Sequence, residues 1–138
     1  MTLKHYIDTY IGDGIFTVQY PEERLPLPPR FRGNPVLIMD TATGKPRCVA
    51  CGICVRACPN GSIALEVGTD ENKKKFPERY DLNGGTCMRC GLCVEACPFD
   101  ALASGPYYEL ASYRRQDLIY DKHYLTLPPD KIPSYHAR

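Results

Sequence analysis

Two short cysteine runs constrain this chain more than any other feature of its sequence. They span Cys48–Pro59 and Cys87–Pro98, and in each run four cysteines follow the spacing C-x2-C-x2-C-x3-C and are followed directly by proline. The second run begins 39 residues after the first, and eight of its twelve positions carry the same residue. All eight cysteines of the chain lie inside these runs. The chain is therefore built around an internal duplication that presents the same thiol pattern twice.

The spacing within each run suits an iron–sulfur cubane. A cubane has four iron corners, and each corner takes one soft thiolate ligand. Three cysteines spaced three apart on a tightly wound loop reach three corners of one cube, and Gly52 and Gly91 supply the permissive residue that such a loop needs beside a ligand. The pattern is the ligand run of two-cluster bacterial ferredoxins, in which the fourth cysteine ligates the other cluster. We expect this fourth cysteine on the first turn of a helix.

The sequence thus predicts two [4Fe–4S] clusters with crossed ligands. Cluster 1 is assigned to Cys48, Cys51, Cys54 and Cys97, and cluster 2 to Cys87, Cys90, Cys93 and Cys58. Four disulfides or two zinc sites are the alternatives for eight cysteines. Disulfides require an oxidising compartment, and no signal peptide is visible. Zinc ribbons need neither the third cysteine nor the Cys-Pro ending, so iron–sulfur clusters are the preferred interpretation.

Charge and hydropathy exclude several other classes of protein. The formal net charge of +1 is spread evenly along the 138 residues and argues against a nucleic-acid-binding surface. The longest aliphatic run, Val36–Met39, is far shorter than the ~20 residues of a membrane-spanning helix. Each oxidised cubane with its thiolates adds a charge of about −2, which brings the loaded protein to about −3. We expect a peripheral protein in a reducing compartment.

Prolines divide the chain into a cysteine-rich core and two flanks. Most of the 13 prolines lie before residue 36 or after residue 105. We therefore expect an N-terminal helix and docking strap over 1–35, a two-cluster domain over 36–105, and a C-terminal helix and tail over 106–138. The core alone is too small to bury much apolar surface, so the clusters are expected to contribute to folding.

The core has the element order of an α+β ferredoxin-type fold with a pseudo-two-fold internal repeat. Strands are predicted at 36–39, 63–67, 76–82 and 101–103, and a charged hairpin tip at 70–75. The lysines of that tip are expected to be solvated rather than to form a docking patch. The apolar residues expected to line the clusters are Ile53, Val55, Ile63, Leu92, Val94 and Leu102, with Ala57 and Ala96 where the cubes approach the backbone.

Each flank is expected to combine a helix with an extended arm. Apolar residues at helical spacing over 3–11 predict a helix whose stripe packs on the chain's own core or docks on a partner or bilayer surface. Residues 16–20 alternate like a strand, and the proline-rich 21–35 should lie extended against another surface. Helical spacing over 108–120 predicts a second helix, followed by an extended tail over 127–138.

Isolated polar residues in the flanks have simpler expected roles. His5, His123 and His136 show no ligand spacing and are expected at the surface. Arg30 and Arg32 are either exposed arginines of a turn or partners for carboxylates on a neighbouring surface.

Two flanking motifs are more specific than the cysteine runs. They read TVQYPEE at 17–23 with PRFRG at 29–33, and GPYYE at 105–109 with RRQDLIYDK at 114–122. These motifs resemble the two-cluster subunit I of NADH:quinone oxidoreductase, respiratory complex I, and the likeness covers roughly residues 3–127. All eight cysteines match the family by position. One departure is Arg89, where the family commonly has an aromatic or apolar residue.

The resemblance implies an electron relay at the cytoplasmic face of the cell membrane. It places such a subunit beside cluster-bearing subunits, quinone-site subunits and the membrane arm, and it implies transfer from upstream clusters to the last cluster before quinone. No Ser/His/Asp arrangement, paired carboxylate site or phosphate-binding glycine loop is visible, as expected for a relay without substrate chemistry. Because Arg89 replaces the Ala50 of the first run, cluster 2 is expected to have the higher potential.

Two related functions remain as alternatives. One is the relay subunit of a membrane-bound hydrogenase, or of a deazaflavin- or ferredoxin-fed relative of complex I. The other is a free, diffusible two-cluster ferredoxin. The amphipathic stripe and the proline-rich arms favour permanent assembly over free diffusion.

Overall fold

The described part of the chain folds into two small three-stranded sheets and four short helices. A computed structural model of the chain describes residues 2–12, 17–28 and 30–132. The helices are α1 Thr2–Ile11, α2 Ile53–Ala57, α3 Leu92–Glu95 and α4 Lys122–Leu125. The strands are β1 Pro35–Ile38, β2 Ile63–Thr69, β3 Lys75–Asn83, β4 Leu102–Ser104, β5 Ile119–Tyr120 and β6 Thr126–Leu127. Turns of 3-10 helix cover Arg115–Leu118 and Pro129–Lys131.

The first sheet has the order β4–β1–β6. Strand β1 runs antiparallel to β4 and parallel to β6, so that Leu37 pairs with Leu102 on one side and Thr126 on the other. All four residues of β1 are buried, as a central strand covered on both faces requires. Strand β6 belongs to the C-terminal segment, which therefore completes a sheet of the cysteine-rich core.

The second sheet has the order β2–β3–β5 and is built on a long hairpin. Strands β2 and β3 pair antiparallel from Ile63 opposite Leu82 to Thr69 opposite Lys75, with an irregularity between Glu66 and Val67. Strand β5 extends the sheet by pairing with β3. The four strands predicted in the core are thus present, with small shifts of their ends, and 70–75 forms the exposed tip of the hairpin apart from the start of β3.

One hydrophobic cluster draws on both sheets and on the C-terminal segment. Burial of a large apolar side chain stabilises a fold by about 1.5–3 kcal/mol, so Leu125, Leu127 and Ile132 tie residues 122–132 firmly to the core. The largest fully buried side chain is Tyr80 of β3. Besides these four, the buried cluster comprises Val36, Leu37, Ile38, Ile63, Leu82, Leu102, Ala103, Cys54 and Cys93.

The predicted helix over 108–120 is wrong. Residues 107–114 contain no helix or strand, and the segment ends in a 3-10 turn followed by β5. The rings of Tyr107 and Tyr120 contact Tyr124 at centroid distances of 5.3 and 4.9 Å, and Tyr120 also pairs with Leu82. Because Tyr107 and Tyr120 both pack on Tyr124 and Tyr120 also pairs with β3, tertiary contacts override the local helical spacing.

The predicted strand over 16–20 and the extended tail over 127–138 also need correction. Residue 16 lies outside the described residues, 17–19 pair with no described strand, and the Glu23 N–H closes a turn on the Gln19 carbonyl at 2.8 Å. Leu127 is in β6, and the 3-10 turn after it carries the chain to Ile132, which is 7% exposed. Residues 133–138, including His136, lie outside the described residues.

Helix α1 agrees with its predicted position, but its apolar stripe does not pack on the core. Leu3, Tyr10 and Ile11 are 72%, 77% and 84% exposed. Self-packing of the stripe is therefore wrong, and docking on a partner or bilayer stays a prediction. His5 and His123 are exposed, as expected.

Candidate iron–sulfur centre

The two cysteine runs share one backbone conformation. Three residues in or just after each run have positive φ, and each lies 39 positions from its counterpart, as the cysteines do. The pairs are Ala50 (53°) with Arg89 (54°), Gly52 (74°) with Gly91 (81°), and Gly61 (58°) with Asp100 (45°). Residues in the left-handed region wind the backbone tightly, which allows three cysteines of a short loop to point toward one centre.

Each run then enters a short helix that begins directly after its glycine. The third cysteine, Cys54 in α2 and Cys93 in α3, lies in this helix and is buried. The prediction that the fourth cysteine occupies the first helical turn is wrong. Cys58 and Cys97 follow the helices, and their N–H groups donate to the carbonyls three residues earlier at 3.4 and 3.3 Å. The left-handed glycine starts the helix one turn earlier than the cysteine spacing suggests.

Backbone amides donate to cysteine sulfurs at matching places in the two runs. The N–H of Ser62 donates to Cys58 Sγ at 3.3 Å, and the N–H of Ala101 donates to Cys97 Sγ at 3.4 Å. The N–H of Ala50 donates to Cys48 Sγ at 3.4 Å. Such donors stabilise negative charge on sulfur, so these positions favour the thiolate form that binds iron.

The structure brings Cys97 of the second run to the cysteines of the first. Burial raises the pKa of Cys48, and the charges of Cys54, Cys97 and Cys51 raise it further, against a hydrogen bond from the Ala50 amide. The charges of Cys51 and Cys97 also raise the pKa of Cys54, after burial as the main cause. Three cysteines of one run and the last cysteine of the other therefore act on each other electrostatically.

The last cysteine of the first run lies with the first three cysteines of the second run, around one pocket. Cys58, Cys87, Cys90 and Cys93 all line this pocket, beside Ile63 and Val94. Burial, followed by the charges of Cys87, Cys54, Cys58 and Cys90, raises the pKa of Cys93 to about 12. Burial also raises the pKa of Cys58, but hydrogen bonds from Ser62, Asn60 and Gly61 outweigh it and leave that pKa lowered.

The chemistry of this donor set fits a pair of cubanes. Thiols that are buried and repel one another as anions lose their protons most readily to a cationic metal core, so metal binding and deprotonation are coupled. In residues 2–12, 17–28 and 30–132, no three His, Cys, Asp or Glu side chains lie close enough together to hold one single metal ion. A cubane instead distributes its four thiolates over four irons.

The apolar lining predicted for the clusters is found in part. Ile63 and Leu102 are buried, and Val55 and Val94 pack against the core. Leu92 is 46% exposed, so its place in the lining stays a prediction.

A strap over 30–35 covers the second run, which the sequence analysis did not foresee. Arg32 donates to the Cys90 carbonyl and lies 3.6 Å from the Glu95 carboxylate. Asn34 is fully buried, and its Oδ1 accepts a 3.0 Å hydrogen bond from Arg89 Nε. Arg32 is exposed, as one of the two expectations had it, and it also binds the carbonyl and a carboxylate of the second run within the same chain.

The first run is more open and faces cationic side chains. Cys51 is exposed. Cys48 and Val49 line a second pocket together with Lys45, Arg47, Lys74, Lys75, Lys122 and Asp70. We call these five cationic residues the basic rim.

The two flanking motifs meet in space. Glu109 accepts a hydrogen bond from the Tyr20 hydroxyl and pairs with Arg24 at 2.9 Å between Nη1 and Oε2. Phe31 contacts the Tyr108 ring edge-on at a centroid distance of 6.2 Å. The motifs that carry the family resemblance therefore fasten the N-terminal strap to the segment after the second run.

No helix in the described ranges is long and apolar enough to cross a membrane.

Comparisons with known proteins agree with this centre. A family described as a 4Fe-4S dicluster domain matches residues 47–101. "NADH-quinone oxidoreductase subunit I" of Pseudomonas paraeruginosa is 49% identical over 121 residues, which cover 87% of this chain and 66% of the relative. The protein of the same name from Pseudomonas fluorescens is 48% identical over the same shares. The chain therefore spans 66% of the length of these curated relatives.

A solved structure gives a more distant likeness. In the membrane-bound sulfane sulfur reductase, described as an archaeal respiratory membrane complex, one chain matches with a TM-score of 0.54 and 25% identity. The match covers 91% of this chain and 63% of that chain.

Fold, cysteine groups and comparisons together define a ferredoxin-type iron–sulfur protein with mixed helices and strands. Its cofactors are two [4Fe–4S] clusters, which confirms that prediction. The chain is similar to two proteins named NADH-quinone oxidoreductase subunit I at 49% and 48% identity, and the resemblance stated from the flanking motifs is confirmed.

Proposed function

We propose that this chain is the electron-relay subunit of a membrane-associated oxidoreductase of the complex I type. The observation that supports the proposal most is that the last cysteine of each run lies toward the other run: the charge of Cys97 acts on Cys48, and Cys58 lines one pocket with Cys87, Cys90 and Cys93. Bound [4Fe–4S] clusters supply one-electron redox chemistry. The chain itself supplies thiolates, amide donors to sulfur and a buried environment, and it carries out no substrate chemistry.

In this proposal Cys48, Cys51, Cys54 and Cys97 hold cluster 1, and Cys58, Cys87, Cys90 and Cys93 hold cluster 2. The crossed fourth ligands tie the two halves of the duplication together. Matching positive-φ residues and amide–sulfur hydrogen bonds at a 39-residue offset support a pseudo-two-fold relation between the halves. The 36–105 segment supplies all the ligands, and the flanks supply cover and attachment.

We assign the chain to a peripheral position on a respiratory complex, at the cytoplasmic face of the cell membrane. Its partners there are neighbouring cluster-bearing subunits, quinone-site subunits and the membrane arm. Two observations support assembly over free diffusion: the curated relatives are named as subunits of an oxidoreductase, and the apolar stripe of α1 is exposed. Electrons pass from the upstream clusters through this chain toward the terminal cluster beside the quinone site.

A second candidate has the same relay but a different electron donor. The matching chain of the sulfane sulfur reductase complex belongs to a respiratory complex whose name specifies a different reaction. The alternative parent assembly is a respiratory complex with another electron donor, such as a membrane-bound hydrogenase or a deazaflavin- or ferredoxin-fed relative of complex I. Purification of the tagged protein in mild detergent separates these candidates, because a flavin/NADH module or a nickel hydrogenase would accompany it.

The ligand assignment is tested with single Cys-to-Ser variants of the full chain, prepared anaerobically. Cys51→Ser and Cys97→Ser should perturb the same EPR signal, whereas Cys90→Ser and Cys58→Ser should perturb the other. The wild type should contain about eight irons and eight acid-labile sulfides per chain.

The pairing of variants decides the connectivity. If Cys97→Ser instead affects the same signal as Cys90→Ser, each run holds its own cluster and the crossed assignment is wrong. About two zinc ions and no iron would contradict the relay itself.

A further inference from the structure

Tyr80 has an unusual position for a polar side chain in this fold. It lies near the middle of β3 opposite Leu65, and none of its surface is exposed. Its neighbours Arg79 and Asp81 point the other way and pair with each other at 2.6 Å. Strand alternation therefore directs the phenol ring into the core and toward the cysteines.

The hydroxyl of Tyr80 has no partner that accounts for its burial. It makes no hydrogen bond of ordinary geometry within the described residues. Buried tyrosine hydroxyls usually find such a partner. An orphaned donor at this place therefore points to an acceptor that the thiol form of the protein does not provide.

Tyr80 shares the buried core with one cysteine from each run, Cys54 and Cys93. Burial, then the charges of Cys54 and Cys93, raise the pKa of Tyr80, and a hydrogen-bonding interaction with Cys54 raises it further. The same interaction with the Tyr80 hydroxyl lowers the pKa of Cys54, against the larger effect of burial. Cys93 influences Tyr80 through its charge. Tyr80, Cys54 and Cys93 thus share one buried cluster, and of the two cysteines Cys54 is the one that acts on the hydroxyl by more than its charge.

The acceptor strength of Cys54 depends on its ionisation. A thiol sulfur is a weak acceptor, whereas a thiolate carries negative charge and accepts a stronger, charge-assisted hydrogen bond. Hydrogen bonds to cluster sulfurs are among the features that set reduction potentials. A donor to sulfur offsets part of the negative charge that increases on reduction, so it favours the reduced state.

We propose that the Tyr80 hydroxyl donates a hydrogen bond to the sulfur of Cys54 and thereby raises the reduction potential of cluster 1 relative to cluster 2. This inference rests on the proposed function, since it takes Cys54 as a ligand of cluster 1. Tyr80 is then a positioning and tuning residue that acts on cluster 1 through Cys54.

The test is Tyr80→Phe in the full-length chain with both clusters loaded. Phenylalanine keeps the ring in the core and removes only the hydroxyl. In an EPR-monitored redox titration, the ratio of reduced to oxidised cluster 1 should fall about tenfold at a fixed potential. This corresponds to a midpoint potential lower by about 59 mV for a one-electron couple. Cluster 2 should shift by less than half as much. The signals are assigned with Cys51→Ser and Cys90→Ser.

A second readout separates tuning from simple packing. Resonance Raman spectra of the wild type in H2O and D2O should show a deuterium-sensitive Fe–S(Cys) stretch that Tyr80→Phe loses. Tyr107→Phe is the matched control, because Tyr107 also packs against the core but its contact is with the Tyr124 ring. It should leave both potentials and the deuterium effect unchanged.

Each outcome bears on one claim. Both clusters present with unchanged potentials in Tyr80→Phe would overturn the inference and leave the relay intact. An equal shift of both clusters would also overturn it, because the hydrogen bond would then not be specific to Cys54. Wild-type protein that binds no iron would instead contradict the proposed function.

Discussion

The two cysteine runs have nearly the same backbone but very different surroundings. Ala50 and Arg89 occupy matching positions with φ of 53° and 54°, yet Ala50 is buried and Arg89 is exposed and hydrogen-bonded to Asn34. The strap over 30–35 covers the second run. The first run has an exposed cysteine and opens toward the basic rim.

This difference shows that the ligand frame and its environment are specified separately. The duplicated residues determine where the thiols lie, whereas residues that the repeat does not share, in the strap, at Arg89 and in the basic rim, determine what surrounds each cluster. Reduction potential and solvent access depend on those surroundings. We therefore expect the two clusters to differ in lability and in their response to charge changes, although their ligands are alike.

Removal of the clusters should have the largest effect. Much of the buried core touches the cysteines, and a small fold of this kind depends on its metal. Anaerobic chelation of iron should abolish the cooperative thermal transition seen by circular dichroism, and reconstitution should restore it. During slow chelation, the cluster 1 signal should disappear first because Cys51 is exposed.

An apoprotein that melts cooperatively with native-like signals would contradict this expectation. Simultaneous loss of both EPR signals would remove the predicted difference in lability between the runs.

Addition of a single methyl group to the strap, by Gly33→Ala, should have the next largest effect. A Cβ added at Gly33 would lie 2.1 Å from the Gly105 carbonyl oxygen, so Gly33→Ala must displace backbone. We expect a loss of about 3 kcal/mol in unfolding free energy and earlier loss of cluster 2 than of cluster 1. The reason is that the displaced strap is the segment that covers the second run, through Arg32 and Asn34.

Gly12→Ala is the control for this experiment. Its Cβ would lie 3.3 Å from the Asp8 carbonyl oxygen at the end of the exposed α1, and the change should stay within about 0.5 kcal/mol. Parallel loss of both clusters in Gly33→Ala would show that the strap acts on the whole fold and not on one run.

Removal of the Arg89 charge should have a smaller effect, confined to cluster 2. Burial raises the pKa of Cys87, and the Arg89 charge acts in the opposite direction, which favours negative charge at this ligand. Arg89→Ala should therefore lower the potential of cluster 2. Because the guanidinium is exposed and screened, we expect about a threefold change in the reduced-to-oxidised ratio, about 30 mV.

Arg89→Lys keeps the charge and should retain most of the wild-type potential. An unchanged midpoint in Arg89→Ala would remove the idea that this residue gives cluster 2 the higher potential.

How far the sequence predicts this molecule depends on the range of the interactions. The cysteine spacing and the family motifs predict the cofactors and the core strands, because ligand geometry and period-two patterns are local. The helix over 108–120 was wrong since Tyr107 packs on Tyr124 and Tyr120 pairs with Leu82 of β3, contacts that span 17 and 38 positions. The contacts of Arg32 and Asn34 with the second run also join residues more than 50 positions apart, and no local pattern encodes them.

Removal of positive charge from the basic rim should have the smallest effect. It tests whether the reduction potential of cluster 1 is tuned by charges of its own. Lys45 and Arg47 line the same pocket as Cys48, so their charges favour the reduced state of cluster 1. Lys45→Gln combined with Arg47→Gln should lower the potential of cluster 1 at low salt, and the shift should shrink at high salt because exposed charges are screened. Lys4→Gln on α1 removes a charge elsewhere and should change neither cluster. Equal shifts of both clusters in the double variant would show that the rim acts through net charge, and the electrostatic difference between the runs would then rest on Arg89.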